Sequence, residues 1–339
     1  MEPSSLKIYG SRRRFSGVLT FAKIIVTILV LITIVLLSMI LAFSPKSPPQ
    51  VNSINKTATS VDFSDLPAYS YFTARDGTPL AYRTYPGSSD RIAILIHGSS
   101  GSSRNMHVLG KALSKNGITA FALDLRGHGN SGKHGDIAYV GQLEDDLTDF
   151  VAYIRSDYPD TPITLIGHSL GGGFALRIAG SSMSDRFDQY ILLSPFLNYN
   201  SPTNRPNNGG WADVSVPRFA GITILNKFGI HYFDSWPVIA FAVPDNFSFL
   251  TREYSYKLLS NLSANRNYLN DDYLENFRKC SVPITILVGS NDELFYVKKY
   301  ASEIKPVNGK VVVEIVPSVN HMAIVSDAKA VETIVHKFE

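Results

Sequence analysis

The feature that most constrains the fold is a serine on a tight turn between a buried strand and a helix. Residues 167–172 read Gly-His-Ser-Leu-Gly-Gly and contain a G-x-S-x-G pattern centred on Ser169. The pattern follows the apolar run 163–166 and precedes a stretch with helical spacing. A serine on such a turn needs strained backbone dihedrals and small neighbours, and its hydroxyl stands above the carboxyl edge of a parallel sheet. The sequence therefore predicts an α/β fold with Ser169 as a nucleophile.

Short apolar runs on both sides of this serine predict the rest of the sheet. Such runs, bounded by turn residues, are typical of strands buried on both faces, and helical spacing between them, clearest over 140–154, predicts covering helices. The runs predicted as buried strands are 92–96, 120–123, 163–166, 190–193, 284–288 and 311–316. The segments 69–74 and 80–85 alternate instead, and Asp76-Gly77 between them predicts a hairpin. We therefore expect a mostly parallel central sheet flanked by helices over residues 67–339.

The alternation of strands and helices breaks after Pro195. Residues 196–275 contain few clear strands but many aromatic side chains, and an insertion of this length beside a regular sheet is typical of a cap. We expect its apolar side chains either to form a small core of the cap or to line an acyl pocket that faces Ser169. These side chains are Trp211, Phe219, Ile222, Ile224, Leu225, Phe228, Trp236 and Phe241.

A serine hydroxyl needs a base to take its proton. Of the eight histidines, His321 follows the last predicted strand and is therefore expected at the carboxyl edge of the sheet. Asp292 follows the penultimate strand, and Glu293 beside it is the alternative acid. Serine, acid and histidine come in this order along chains that carry the G-x-S-x-G turn. We predict Ser169 as the nucleophile, His321 as the base and Asp292 as the acid that orients it.

Two backbone N–H groups are predicted to hold the oxyanion that forms when the serine attacks. One belongs to Leu170, which opens the helix after the turn. The other belongs to Ser99, which follows His97-Gly98 at the end of the predicted strand 92–96. Losing one such donor costs about 2.7–4 kcal/mol of transition-state stabilisation, so the pair is expected to matter as much as a catalytic side chain.

The amino-terminal region contains an apolar run of membrane-spanning length. Residues 24–43 carry no charge, and a helix of this length spans about 30 Å. Three arginines at 12–14 precede it, which predicts a cytoplasmic amino terminus and an exported body. The alternative is a cleaved signal peptide. We expect a tail at 1–23, a single transmembrane signal-anchor at 24–43, a linker at 44–66 and a periplasmic or otherwise extracytoplasmic catalytic domain at 67–339.

Charge and cysteine content limit the kinds of ligand and partner that the chain is expected to bind. Beyond residue 43 basic and acidic residues are almost equal in number, which gives no electrostatic case for nucleic-acid binding. Cys280 is the single cysteine, so no thiolate metal cluster is expected. Residues 127–132 match G-x-G-x-x-G, but a loop follows them where a dinucleotide site needs a helix. We expect neither a metal nor a cofactor.

With these residues in hand, the chain resembles the α/β-hydrolase superfamily over about residues 67–339. Within it the likeness is to the branch of monoacylglycerol lipases, lysophospholipases and prolyl-type serine aminopeptidases. The motifs that carry the resemblance are Ile96-His97-Gly98, Asp124-x-Arg126-Gly127-x-Gly129-x-Ser131, Gly167-His168-Ser169-x-Gly171-Gly172, Asp292 and His321.

The resemblance implies hydrolysis of a carboxylic ester, with a small-molecule or lipid ester as substrate, through an acyl-enzyme. A peptidase or amidase would use the same three side chains, and an acyltransferase would differ only in the second nucleophile. A non-catalytic, membrane-tethered binding protein would be expected to lack part of the triad.

Overall fold

The computed structural model describes residues 9–51, 53, 56–57, 60–88, 90–243, 247, 250–262 and 273–338, without the side chains of residues 9–16 and 208. The helices are α1 (Tyr9–Leu41), α2 (His107–Lys115), α3 (Gln142–Arg155), α4 (Leu170–Ala179), α5 (Val216–Lys227), α6 (Tyr256–Leu262), α7 (Leu274–Lys279), α8 (Val297–Ile304) and α9 (Ala328–Val335). Short 3₁₀ turns lie at Ser103–Met106, Ser184–Arg186, Pro206–Gly210, Ala323–Val325 and His336–Phe338. The chain divides into two compact units, of which the smaller comprises Met1–Ser44 and Ser215–His231 and the larger comprises Pro45–Val214 and Tyr232–Glu339.

The larger unit is built on an eight-stranded sheet. Its strands are β1 (Ser70–Thr73), β2 (Pro79–Tyr85), β3 (Ile92–Ile96), β4 (Thr119–Leu123), β5 (Ile163–His168), β6 (Gln189–Leu193), β10 (Ile284–Gly289) and β11 (Val312–Val316). They lie side by side in the order β1-β2-β4-β3-β5-β6-β10-β11. Only the pairings of β1 with β2 and of β2 with β4 are antiparallel. The mostly parallel sheet predicted from the sequence is confirmed, and the observed strand ends lie within two residues of the predicted ones.

Burial on both faces explains why the central strands are apolar throughout. Along β3, Ile92, Ile94 and Ile96 join one hydrophobic cluster, while Ala93 and Leu95 join the other. Side chains of α3 and α4 complete the first cluster, and side chains of α2 and α9 complete the second. Successive residues of a strand point to opposite faces, so a strand with helices on both faces needs an apolar residue at every position.

The insertion that follows β6 contains a second, antiparallel sheet. Its strands are β7 (Ala212–Val214), β8 (Pro237–Phe241) and β9 (Glu253–Ser255), in the order β7-β8-β9. The sequence did not predict these strands, because two of them have only three residues and leave no periodic pattern to detect. Of the insertion expected at 196–275, residues 244–246, 248–249 and 263–272 lie outside the described part of the chain.

The smaller unit pairs α1 with α5. Within α1, Gly17–Leu41 is long and apolar enough to cross a membrane, and the helix ends two residues before the predicted apolar run does. The Nε of Arg218 donates to the carbonyl of Ile40 at 2.8 Å, and the hydroxyl of Ser215 donates to that of Phe43 at 2.6 Å. The last four carbonyls of a helix accept no hydrogen bond within that helix, and Arg218 of α5 supplies the donor for one of them, the carbonyl of Ile40.

Candidate active site

Ser169 occupies a strained turn between the end of β5 and the start of α4. Its φ of 53° and ψ of −118° lie outside the regions that a serine normally adopts. A Cβ at Gly167 would lie 2.3 Å from the carbonyl oxygen of Gly171, and one at Gly171 would lie 2.3 Å from that of His97. The two glycines of the G-x-S-x-G pattern are therefore required by close backbone contacts around the serine.

The structure brings Ser169, His321 and Asp292 into one hydrogen-bonded line. The Oγ of Ser169 lies 3.0 Å from Nε2 of His321, and Nδ1 of His321 lies 2.9 Å from Oδ2 of Asp292. All three residues are buried. Because the carboxylate accepts the proton of Nδ1, the lone pair of Nε2 is left to accept the hydroxyl proton of Ser169. This arrangement can turn a serine hydroxyl into a nucleophile.

Asp292 is held in its ionised form and in one orientation. Its Oδ1 accepts the backbone N–H groups of Leu294 at 2.9 Å and Phe295 at 3.0 Å. Burial alone would raise the pKa of Asp292, but the charge and hydrogen bond of His321, with the backbone bond from Leu294, hold it below its ordinary value. Glu293, the alternative acid, binds the backbone N–H of His321 at 2.9 Å through Oε2. Glu293 therefore contacts the main chain of the histidine, while Asp292 contacts its ring.

The loop after β3 lies against Ser169. A Cβ on Gly98 would lie 3.2 Å from Cβ of Ser169. The Nε2 of His97 accepts the N–H of Leu125 at 3.2 Å, so its Nδ1 carries the proton and donates to the carbonyl of Gly98 at 2.8 Å. In a planar trans peptide the N–H points away from the carbonyl, so this bond also fixes the direction of the Ser99 N–H.

Leu170 is the first residue of α4, directly after Ser169. The first four N–H groups of a helix have no acceptor within the helix. The helix dipole adds partial positive charge at the same end. The N–H of Leu170 therefore has no acceptor within α4, and Ser99 lines the cavity above Ser169; the oxyanion role of the two N–H groups stays a prediction.

Comparison with known proteins assigns the chain to a family. The sequence profile described as serine aminopeptidase, S33, matches residues 87–324, most of the chain, including Ser169, Asp292 and His321. The chain belongs to this S33 family. The α/β-hydrolase fold expected from the sequence is thereby confirmed, together with its mostly parallel sheet.

Relatives of this S33-family chain include lipases. Monoglyceride lipase of Rattus norvegicus is 29% identical over 154 residues, which cover 44% of this chain and 49% of the relative. Monoacylglycerol lipase of Mycolicibacterium smegmatis is 26% identical over 130 residues, covering 38% and 46%. The match thus spans about half the length of these curated relatives. The crystal structure of a soluble variant of monoglyceride lipase from Saccharomyces cerevisiae superimposes with a TM-score of 0.61 at 19% identity, covering 82% of this chain and 96% of that one.

The cavity above Ser169 in this S33-family chain is small, and Trp211 is one of the residues that line it. Its volume is about 20 Å³, which is room for about one water molecule. The indole N–H of Trp211 donates to Oγ of Ser99 at 2.7 Å. Of the eight apolar insertion residues named from the sequence, only Trp211 lines this cavity. Ile222 and Phe241 are buried, whereas Ile224 and Phe228 are exposed and fit neither expectation for the cap.

Two further residues at the site were not predicted from the sequence to contact His321. The ring of His168 lies 4.9 Å from that of His321, and its Nε2 donates to the carbonyl of His321 at 3.1 Å. Burial and the nearby His321 lower the pKa of His168 to about 3, so it stays neutral. Phe295 packs edge-on against the ring of His321, with ring centroids 5.3 Å apart. These contacts hold the imidazole of His321 in place. The only sequence signal for either contact is the position of His168 inside the turn motif.

Proposed function

We propose that this chain is a membrane-anchored serine hydrolase that cleaves carboxylic esters of lipids through an acyl-enzyme on Ser169. The observation that carries the proposal is the hydrogen-bonded line from Ser169 through His321 to Asp292. A buried carboxylate, a correctly oriented imidazole and a serine on a strained turn together form the machinery of acyl transfer.

The reaction follows from this geometry. Nε2 of His321 takes the hydroxyl proton as Oγ of Ser169 attacks the ester carbonyl, and Asp292 stabilises the imidazolium. The N–H groups of Ser99 and Leu170 bind the oxyanion. His321 then protonates the leaving alcohol, which leaves the acyl group on Ser169. A water molecule, deprotonated by His321, attacks the acyl-enzyme, and the acid departs as the serine regains its proton.

The residues around the serine support an ester rather than a peptide as substrate. An aminopeptidase has to neutralise the amino terminus of its substrate, and a carboxylate does this best. The described residues that line the cavity above Ser169 include no carboxylate. Glu293, the nearest acid in sequence to Asp292, is occupied by the backbone of His321 and by the hydroxyl of Ser53 at 2.6 Å. The names of the lipase relatives agree with this preference.

We predict that catalytic efficiency rises with acyl chain length. Each CH₂ group that the protein buries contributes about 0.8 kcal/mol, or about a fourfold gain in kcat/KM. The test measures kcat/KM for p-nitrophenyl esters from acetate to dodecanoate beside aminoacyl p-nitroanilides. Rates that stay flat along the ester series, with faster cleavage of the anilides, would overturn the ester assignment in favour of a peptidase.

Membrane attachment is supported by the apolar surface of the smaller unit. Most side chains of Gly17–Leu41 are exposed, which is unfavourable in water and favourable in a bilayer. Exposed apolar side chains also occur in the turn after α5, where Phe228 is 76% exposed and Ile230 is 47% exposed. We propose that α1 spans the membrane and that these side chains of the smaller unit enter the interface beside it.

We predict that the hydrolase domain lies outside the cytoplasm, because the arginines at 12–14 stay on the cytoplasmic side. Protease added to intact cells or spheroplasts should digest the domain and leave α1 and the residues before it protected. Replacing the three arginines with serine should reduce the digested fraction, whereas the matched replacement of Lys46, Lys56 and Lys111 should not. Complete protection of the domain without detergent would contradict this topology.

A further inference from the structure

The residue after Ser99 is held by the inserted region through both of its backbone groups. Ser100 has a φ of 62°, a left-handed conformation that a non-glycine residue adopts only when its surroundings impose it. Its N–H donates to the hydroxyl oxygen of Tyr254 at 2.7 Å, and its carbonyl accepts the N–H of Thr251 at 3.0 Å. Tyr254 lies on β9 and Thr251 lies just before it. The inserted region therefore imposes the backbone conformation of the loop.

The hydroxyl of Tyr254 stands in a chain of hydrogen bonds that has one consistent direction. The carbonyl of Arg126 beside Nδ1 of His128 can only accept, so in the neutral ring Nε2 has no proton and accepts the hydroxyl proton of Tyr254 at 2.6 Å. The Nδ1 of His128 carries the remaining proton and donates to the carbonyl of Arg126 at 3.3 Å. Both rings are buried and meet edge-on at 5.1 Å. Burial holds the pKa of His128 well below its ordinary value, so the ring remains neutral and Nε2 can accept.

We propose that Tyr254 is a positioning residue for the oxyanion site, acting through Ser100 on the N–H of Ser99; this rests on the proposed role of that N–H. The two peptide planes on either side of Ser99 are fixed separately. His97 holds the first through the carbonyl of Gly98, and Tyr254 holds the second through the N–H of Ser100. Because both planes are rigid, holding both fixes the dihedrals of Ser99. Without the hydroxyl of Tyr254, Ser100 relaxes from its left-handed conformation and displaces Ser99.

The decisive variant is Tyr254→Phe, which keeps the ring and removes the hydroxyl. We expect kcat for a p-nitrophenyl ester to fall about 10- to 100-fold, somewhat less than the loss of an oxyanion donor itself, while KM changes less than about twofold. The affinity for a trifluoromethyl ketone, whose hemiketal oxygen occupies the oxyanion site, should fall by the same factor as kcat. The matched control is Tyr190→Phe, because Tyr190 is a buried tyrosine on β6 that does not line the cavity above Ser169. Its hydroxyl donates to the carbonyl of Ser184 at 3.0 Å.

Variants of His128 test the same series of hydrogen bonds, which runs from Ser100 through Tyr254 to His128. His128→Leu removes the acceptor for the Tyr254 proton and should lower kcat in the same way. His128→Gln retains an acceptor and should keep more of the activity. Wild-type kcat and ketone affinity in a folded Tyr254→Phe protein would overturn the inference, and so would an equal loss in Tyr190→Phe. If the proposed esterase function itself is wrong, the wild-type protein will hydrolyse no ester. That result differs from every outcome that would overturn the role of Tyr254 alone.

Discussion

Replacing Ser169 with alanine is expected to lower kcat for ester hydrolysis by about 10⁶-fold while the protein remains folded. The alanine removes the attacking oxygen, whose bond to Nε2 of His321 is 3.0 Å long, and leaves the backbone of the turn unchanged. The residual activity should come only from substrate binding and from stabilisation of the oxyanion. The measurement is kcat with the same p-nitrophenyl ester series, beside the unfolding temperature of both proteins.

The matched control for this variant is Ser260→Ala. Ser260 is a buried serine on α6, outside the site, and its replacement should leave kcat within about twofold. Activity retained by Ser169→Ala, or lost equally in both variants, would contradict the assignment of Ser169 as nucleophile.

Replacing Asp292 with asparagine is expected to lower kcat by about 10⁴-fold. The backbone N–H groups of Leu294 and Phe295 will keep the amide oxygen at the position of Oδ1, so the amide nitrogen will face Nδ1 of His321. Nδ1 must then give up its proton and accept, and Nε2 carries the proton instead. A protonated Nε2 cannot accept the hydroxyl proton of Ser169, and the nucleophile is no longer activated.

The variant Glu293→Gln tests which of the two adjacent acids, Asp292 or Glu293, orients His321. An amide at position 293 can still accept the N–H of His321 through its oxygen, so we expect kcat to fall less than about tenfold. The comparison measures kcat for both variants under identical conditions. A larger loss in Glu293→Gln than in Asp292→Asn would reassign the orienting acid to Glu293.

The central sheet could be predicted from the sequence because its signals are local. The central strands, such as Ile92–Ile96, are short, mainly apolar runs bounded by turn residues. Every residue of Ile92–Ile96 is apolar because the strand is buried on both faces. Ser169 is identified in the same way, since the turn, the strand before it and the helix after it are adjacent in the chain. His321 and Asp292 follow from their positions after the last two strands of the sheet.

The contacts made by the inserted region could not be predicted, because they join residues that are far apart in the chain. Trp211 is 112 residues from Ser99, and Tyr254 is 154 residues from Ser100. Nothing in the local sequence of either aromatic residue distinguishes it from one that packs in a small core. The hydrogen bond from Arg218 to Ile40, near the end of α1, joins residues 178 apart and could not be predicted for the same reason.

The role of Ser169 as nucleophile can be tested by titrating the active wild-type protein with a fluorophosphonate and mapping the modified residue by mass spectrometry. We predict one phosphonyl group per chain, on Ser169, with esterase activity falling in proportion to its incorporation. Activity that persists after Ser169 is fully modified, or inactivation that follows modification of a different residue, would contradict this role.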